Sequence, residues 1–417
     1  MDGVRTILHS DMNNFFASVE CMLNPSLSGH PIAVCGDPER RHGIVLAKNY
    51  EAKKFGVKTG EALWQAKQKC PELMCVPPHY DKYEEISKAA RALYSGYTDL
   101  VESYGLDECW LDVSASSRLF GDGVKIADEI RDKMKRDLGV TASVGVSFNK
   151  VFAKLASDLK KPDATILIDR ENFKEKIWHL PVSELLYIGR SATEKLNAYG
   201  ITTIGHLALT PFEVLTLLFG KNGEMLWNFA NGYDMSPVSN IAAKSLIKSV
   251  SCGNTSHRDL VTDNDIRAAL FPLCSTVSTR LRKYGFFCKT VHVAVRDAEL
   301  YTITRQKKLP FAGRTSSEIF KAAYDLFLRH HTSGKPVRSM SVTASDLIYT
   351  EEIQLSLDPD IMKMQRREFV ESACDRINER YGKNTICRAI YLAEPELTSL
   401  HIHSGCDHIM PGLMNTK

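Results

Sequence analysis

The chain has 417 residues, 44% of them apolar and 25% charged, more than one hydrophobic core ordinarily organises, so about two to four folded domains are expected. No stretch approaches the ~20 apolar residues of a membrane-spanning helix, and the opening MDGVRTILHSDMNNFF has no export pattern. Its eleven cysteines lack CxxC spacing, which argues against a disulfide framework and for reduced thiols, with Cys70 and Cys75 read as packing residues. A soluble protein of the cytoplasm, with no membrane contact, is the expectation. The net charge of +3 hides an asymmetry, because residues 244–349 hold 17 Lys/Arg against 8 Asp/Glu, +9, leaving −6 for the rest. Such a segment is an electrostatic footprint for a polyanion.

In chain order, an apolar strand at Thr6–Leu8 runs into Asp11 and then into a helix carrying Phe15, Phe16 and Val19. A carboxylate at a strand end, beside backbone carbonyls, is an oxygen donor set suited to Mg²⁺. The stretch YGLDECWLD at 104–112 sets two acids side by side among apolar neighbours, an arrangement that like-charge repulsion and desolvation both oppose. Adjacent strand residues face opposite ways, so Asp107 and Glu108 reach one site only at a strand end, and Gly105 supplies the bend. With Asp11 they would form a three-carboxylate cluster, and the missing positive charge would be two divalent ions about 3.5–4 Å apart, the clamp used in phosphoryl transfer. Asp112 is read as structural.

Residues 168–233 are mostly helical by pattern, and LLYIGRSATEKLNAYGITTIGHLA has the form of a helical hairpin that offers helix N-termini to a phosphate. In the basic segment, a short alternating run at 248–252 precedes a helix capped at Asp263 that closes near Gly285, with Pro272 as a discord. CKTVHVAVR and LYTITRQKK alternate as strands, 315–331 is helical and RSMSVTASDL is strand-like. The order βαββαβ is that of a ferredoxin-like sandwich.

HSDMNNFFASVE, NYEAKKFGVKTG, YGLDECWLDVS and VGVSFNKVFAKLASDLKKPDATILI resemble, in order and spacing, four signatures of the Y-family translesion DNA polymerases, most nearly the DNA polymerase IV (DinB) branch, over about residues 1–393. The resemblance implies an α+β, right-hand polymerase. Palm and fingers would span 1–168 (fingers about 13–79), a helix-hairpin-helix thumb 169–235, a linker 236–243 and a βαββαβ little finger 244–349. A clamp-binding peptide and tail would follow at 350–417. By the same resemblance Asp11, Asp107 and Glu108 are the catalytic carboxylates. Together with the Met12 carbonyl they would hold two Mg²⁺ ions, for which Mn²⁺ would substitute. Phe16 falls on the steric gate under the deoxyribose, and Tyr50, Lys53 and Lys161 on positions that hold the incoming dNTP. The chain departs from the family with Lys53 for Arg, Gly105 for Ser, Trp110 for Phe or Tyr, and Tyr187 for the first Gly of the thumb hairpin turn.

EEIQLSLDPD resembles the short peptide that holds a sliding clamp, so Gln354, Leu355 and Leu357 are expected to bind it through 353–358, with Asp358 standing where an apolar residue usually ends the motif. The HIHSGCDH tail is read as disordered rather than as a zinc site. Error-prone extension of primer–template DNA by a monomer associated with the nucleoid is the implied function. A subunit resembling the catalytic part of DNA polymerase V, a metal-dependent nuclease, or a clamp-binding scaffold are the alternatives.

Overall fold

Ile7–Met12 (β1) is buried at every position, apolar or not, because the strand lies in the middle of its sheet. The structure is a computed structural model describing residues 5–37, 43–243, 247–349, 359–382 and 384–398. The chain divides into two compact units, one of residues 1–35 and 45–244, the other of 36–44 and 245–417.

In the first unit β1 pairs antiparallel with both Glu108–Asp112 (β6) and Ala142–Ser147 (β7). Val101–Ser103 (β5) and Thr165–Ile168 (β8) complete the order β5-β6-β1-β7-β8. Side chains alternate across a strand. Leu8 therefore joins Leu111, Val144 and Val146 on one face, covered by Phe15–Leu23 (α1), Tyr80–Ser95 (α4) and Gly123–Leu138 (α6). Ile7, His9 and Asp11 share the other face with their β6 partners Asp112, Trp110 and Glu108. Lys150–Leu159 (α7) lies over that face, so close to β7 that a Cβ on Gly145 would come 1.9 Å from the Ala153 carbonyl oxygen.

Ile32–Cys35 (β2), Val45–Lys48 (β3) and Met74–Val76 (β4) form a separate small sheet, with Tyr50–Lys54 (α2) and Leu63–Lys69 (α3) packed on it. Cys70 is buried there as expected, but Cys75 is exposed, being on an edge strand. Ser117–Phe120 (α5) links β6 to α6. Five short helices follow: Phe173–Ile177 (α8), Arg190–Ala198 (α9), Ile204–Leu209 (α10), Phe212–Phe219 (α11) and Lys221–Ala230 (α12). They share an apolar core that includes Leu196, Leu207, Leu215 and Leu226. Tyr187 adopts φ 71°, the conformation a glycine would take freely, at a steric cost of about 1–2 kcal/mol. Its half-buried ring packs 6.1 Å from Phe229.

The segment read as a linker is docked. Ser239 N–H donates to Glu102 (2.9 Å), Ile241 N–H to the Asp99 carbonyl (2.9 Å) and Asn240 Nδ2 to the Asp99 carboxylate (2.7 Å), while Val238 is buried.

The second unit contains the expected βαββαβ: Ser249–Leu260 (β9), Asp263–Lys283 (α13), Phe286–Asp297 (β10), Thr302–Gly313 (β11), Ser316–His330 (α14) and Val337–Tyr349 (β12). The strands are antiparallel in the order β11-β10-β12-β9. Val291, Val293 and Val295 face the two helices, as their alternation requires. The first strand is longer than its sequence pattern indicates. The cap of α13 is Thr262 rather than Asp263, since its hydroxyl accepts from Asp265 N–H (3.1 Å) and Asp265 answers to Thr262 N–H (2.9 Å). Thr262→Ala is expected to cost about 1 kcal/mol in this unit's chemical-denaturation transition. Pro272 is accommodated within the continuous, buried α13. Pro359–Tyr381 (α15), a stretch whose pattern reads as an amphipathic helix, forms ion pairs that the pattern does not encode: Glu371 and Asp375 pair with Arg282 (2.6 Å each), and Glu368 with Arg314 (2.5 Å). Ile390–Ala393 (α16) and Pro395–Thr398 (α17) close the described chain.

Candidate active site and nucleic-acid surface

Asp11 stands directly opposite Glu108 in the β1–β6 register, and Met12 N–H donates to the Asp107 carbonyl (3.0 Å). Two adjacent acids thus reach one strand end, because Gly105 bends the hairpin at φ 97° and leaves Asp107 just outside β6. Beyond Met12 the chain turns through Asn13, whose side chain holds Ser143 (3.0 Å) and Asp163 N–H (2.9 Å), and through Asn14 at φ 47°. That turn sends Phe15 into the core and leaves Phe16 part-exposed in the first turn of α1.

The three acids differ in what answers their charge. Lys161 pairs with Asp11 (2.6 Å) and with Asp158 (2.9 Å), while Lys154 pairs with Glu108. Asp107 has no comparable basic partner among the described residues, and its carboxyl is pushed up to about 7, by burial first and then by the charges of Asp11 and Glu108. Glu108 is held down to about 2: burial pushes it upward, but His9 and Lys154 outweigh that. Burial likewise raises Asp11, with Lys161 opposing. Among the described residues no three acidic, His or Cys side chains are already drawn together as a cation cage. Lys161 and Lys154 each hold one of the carboxylates. The donor set nevertheless fits divalent cations: three carboxylates and a strand-end carbonyl, all hard oxygen ligands, with Asp107 raised by burial first and by its two acidic neighbours second.

His9 and Lys154 were not singled out from the sequence. The His9 ring is wholly buried, 5.1 Å from Trp110, with Nδ1 2.9 Å from Ser157 Oγ and Nε2 3.2 Å from Glu108. Ser157 donates its hydroxyl hydrogen to the Lys154 carbonyl (2.7 Å), so Nδ1 donates to Ser157, and Nε2 steadies the Glu108 carboxylate only in the doubly protonated ring, a form that the ring's burial disfavours. The available signal was Lys150 and Lys154 at i, i+4 on a helix whose other residues before Ser157 are all apolar, one facing in at each turn. Lys150 is buried, pairing with Glu102 (2.7 Å) while its carbonyl accepts from Trp110 Nε1 (3.0 Å). Asp112 is structural, accepting from Ser114 and facing Arg5 at 3.6 Å.

Tyr50 and Lys53 open α2, whose N-cap Asn49 fastens the helix by accepting from Ala52 N–H and Ile32 N–H (3.0 Å each) and donating to the His30 carbonyl (2.7 Å). Lys53 Nζ lies 5.7 Å from the Tyr50 ring. Burial raises the Tyr50 hydroxyl, which feels the charges of both Lys161 and Asp11, so these groups border one region. Gln354, Leu355, Leu357 and Asp358, and the HIHSGCDH tail, lie outside the described residues.

The second unit has a sheet face turned away from its helices. Its cross-strand rows read Gln306–His292–Thr343–Ser251, Thr304–Ala294–Ser341–Gly253 and Thr302–Arg296–Ser339–Thr255. Small hydroxyl and basic side chains of this kind accommodate a phosphate backbone without apolar obstruction. With Arg282 and Arg314 paired to α15, part of the +9 of residues 244–349 is answered on the helical side, whereas Arg296 and Lys308 are exposed.

The impB/mucB/samB family pattern matches residues 10–158, its C-terminal domain 247–357, and the family's HHH motif 170–201. The chain is 50% identical over 397 residues to the DNA polymerase IV of Acetivibrio thermocellus, covering 95% of this chain and 100% of that protein. It is 38% identical over 395 residues to DNA polymerase IV 2 of Bacillus subtilis, covering 93% and 95%. Among solved structures, a Y-family DNA polymerase chimera, Dbh-Dpo4(243-245)-Dbh, superposes with a TM-score of 0.72 at 24% identity, covering 83% of this chain and 100% of that one.

Proposed function

Because the chain belongs to the Y-family DNA polymerases, in their DNA polymerase IV branch, we propose that it extends primer 3′-ends on template DNA by two-metal-ion nucleotidyl transfer and serves error-prone translesion synthesis. The observation that carries the reading is the meeting of Asp11, Asp107 and Glu108 at one strand end, bordered by Lys161 and Tyr50. Two Mg²⁺ ions bound there, with Mn²⁺ as an expected substitute, would supply activation of the 3′-hydroxyl and neutralisation of the triphosphate.

In this reading Asp11 and Asp107 would hold the metal ions with the Met12 carbonyl as a ligand on the nucleotide side, and Glu108 would lie nearest the primer hydroxyl. Lys161 exchanges its carboxylate partner for a phosphate oxygen, and Tyr50 and Lys53 grip the same triphosphate. Lys53 does so as a point charge rather than a bidentate fork. Phe16 excludes the ribose 2′-hydroxyl. Residues 1–168 act as palm and fingers, 169–235 as thumb, 236–243 as linker and 244–349 as little finger. The open sheet face of the little finger takes the DNA backbone, residues 353–358 engage a sliding clamp through Gln354, Leu355 and Leu357, and the protein works as a monomer at the nucleoid.

A primer-template incubated with dNTPs and Mg²⁺ tests the reading: the primer should lengthen. Shortening would make the protein a nuclease, and no change a scaffold. For the DNA surface, Arg296→Ala with Lys308→Ala should weaken binding about equally for unrelated sequences. The slope of log K against log salt should become shallower by about 2, since each phosphate contact contributes about 0.9. An unchanged slope in fluorescence-anisotropy titrations would remove this face from the DNA contact.

A further inference from the structure

We propose that Tyr83 and Glu20 are positioning residues for sugar selection, holding the Phe16 ring at the height from which it excludes a 2′-hydroxyl. The inference rests on the reading of Phe16 as the gate. Phe16 and Glu20 lie one turn apart on α1, and Tyr80 and Tyr83 one turn apart on α4. The Tyr83 ring is stacked on Phe16, 4.2 Å between centroids and 11° between planes. Tyr80 stands edge-on to both, at 5.8 Å and 78° from Phe16 and 5.7 Å and 68° from Tyr83, and Phe15 is tilted against both. Tyr83 and Phe15 are buried while Phe16 is only part-buried, so Phe16 is the upper ring of an aromatic stack.

The stack is tethered from below. Glu20 is 3% exposed, and a carboxylate so deeply buried is retained only if its oxygens are satisfied. Its donors all come from the start of α4: His79 N–H (3.2 Å), His79 Nδ1 (2.9 Å) and the Tyr83 hydroxyl. His79 is the N-cap residue of α4, so the carboxylate also meets the positive end of that helix. One bond of this set reaches the ring on which Phe16 rests. Neither α1 nor α4 can slide along the other without breaking the set, which fixes the floor under the gate.

The physical consequence follows from how exclusion works. A ring rejects a hydroxyl only if it does not yield, and a gate on a soft floor sinks by the few tenths of an ångström that a 2′-oxygen needs. Discrimination then belongs to the floor as well as to the gate.

The test is the ratio of ribonucleotide to deoxyribonucleotide kcat/KM in single-nucleotide primer extension. Tyr83→Leu should raise the ratio by about tenfold, the scale of an aromatic pair lost from a packed stack, mainly through a lower KM for the ribonucleotide. Tyr83→Phe keeps the ring and cuts the tether, and should raise the ratio by about threefold, the scale of one hydrogen bond. In the double variant Phe16→Ala/Tyr83→Leu the ratio should match that of Phe16→Ala alone, because Tyr83 acts only through Phe16. A raised ratio for Phe16→Ala with wild-type ratios for both Tyr83 variants, or additive effects in the double variant, would overturn the inference while leaving the gate intact. A wild-type ratio for Phe16→Ala would instead bring down the gate reading itself. Should Tyr83→Leu not fold, Tyr83→Phe and Glu20→Gln carry the same comparison, with a raised ratio expected of each and a wild-type ratio in both overturning the proposal.

Discussion

Asp107→Ala is expected to abolish primer extension, by about 10³-fold or more, while DNA affinity stays close to that of the parent protein. The scale is the several kcal/mol of charge stabilisation that a metal-bridging carboxylate supports, at 1.36 kcal/mol per decade of rate. The choice of Asp107 over its two neighbours comes from electrostatics. Asp11 and Glu108 each lie against a part-buried lysine, so removing either also takes a partner from a cation and mixes a folding effect into the result. Asp107 is opposed by both other acids and is held near 7 by burial and their charge. Its isosteric replacement, Asp107→Asn, should therefore raise Tm in metal-free buffer while leaving the protein inactive. Added Mg²⁺ should stabilise the parent protein, by mass action on the folded state, and the variant far less. Near-normal extension by Asp107→Ala would refute the site assignment. A Tm gain with Mg²⁺ equal in parent and variant would refute the metal role alone.

Phe16→Ala should raise the ribonucleotide-to-deoxyribonucleotide ratio by about a hundredfold, with deoxynucleotide kcat/KM changing much less. The estimate takes the cost of forcing an extra oxygen against a packed ring as about 1–3 kcal/mol, near its upper end because the ring rests on the buried Tyr83. Removing the ring removes a clash rather than an attraction, so the gain lies with the ribonucleotide. Competition between labelled rNTP and dNTP on one template measures it. An unchanged ratio would return Phe16 to the role of a core aromatic beside Phe15.

The alternation of Val291, Val293 and Val295 was enough to read a half-buried strand, and the pattern around it enough to read βαββαβ, because side-chain periodicity is a local property that burial on one face imposes directly. The strand-end acids were legible for a similar reason. Asp107 and Glu108 need a bend to meet, Gly105 is beside them, and Asp11 closes an apolar strand. Four spaced motifs then named the family on sequence alone. The local pattern misled where a neighbouring residue competed for the same role: Thr262, one position before the expected Asp263, caps α13 because its hydroxyl reaches Asp265 N–H.

Tertiary structure alone decided which groups answer those acids. His9 and Glu108 are 99 positions apart, and Lys161 and Asp11 150 apart. No period in the sequence encodes such a pairing, since it depends on the β1–β6 register and on α7 lying over Gly145. The same holds for Glu20 beneath Tyr83, for Asp99 and Glu102 holding residues 239–241, and for the acids of α15 on Arg282 and Arg314. A polar side chain looks alike in sequence whether it is solvated or buried, and only the packed fold removes water from it and so dictates the partner it must find.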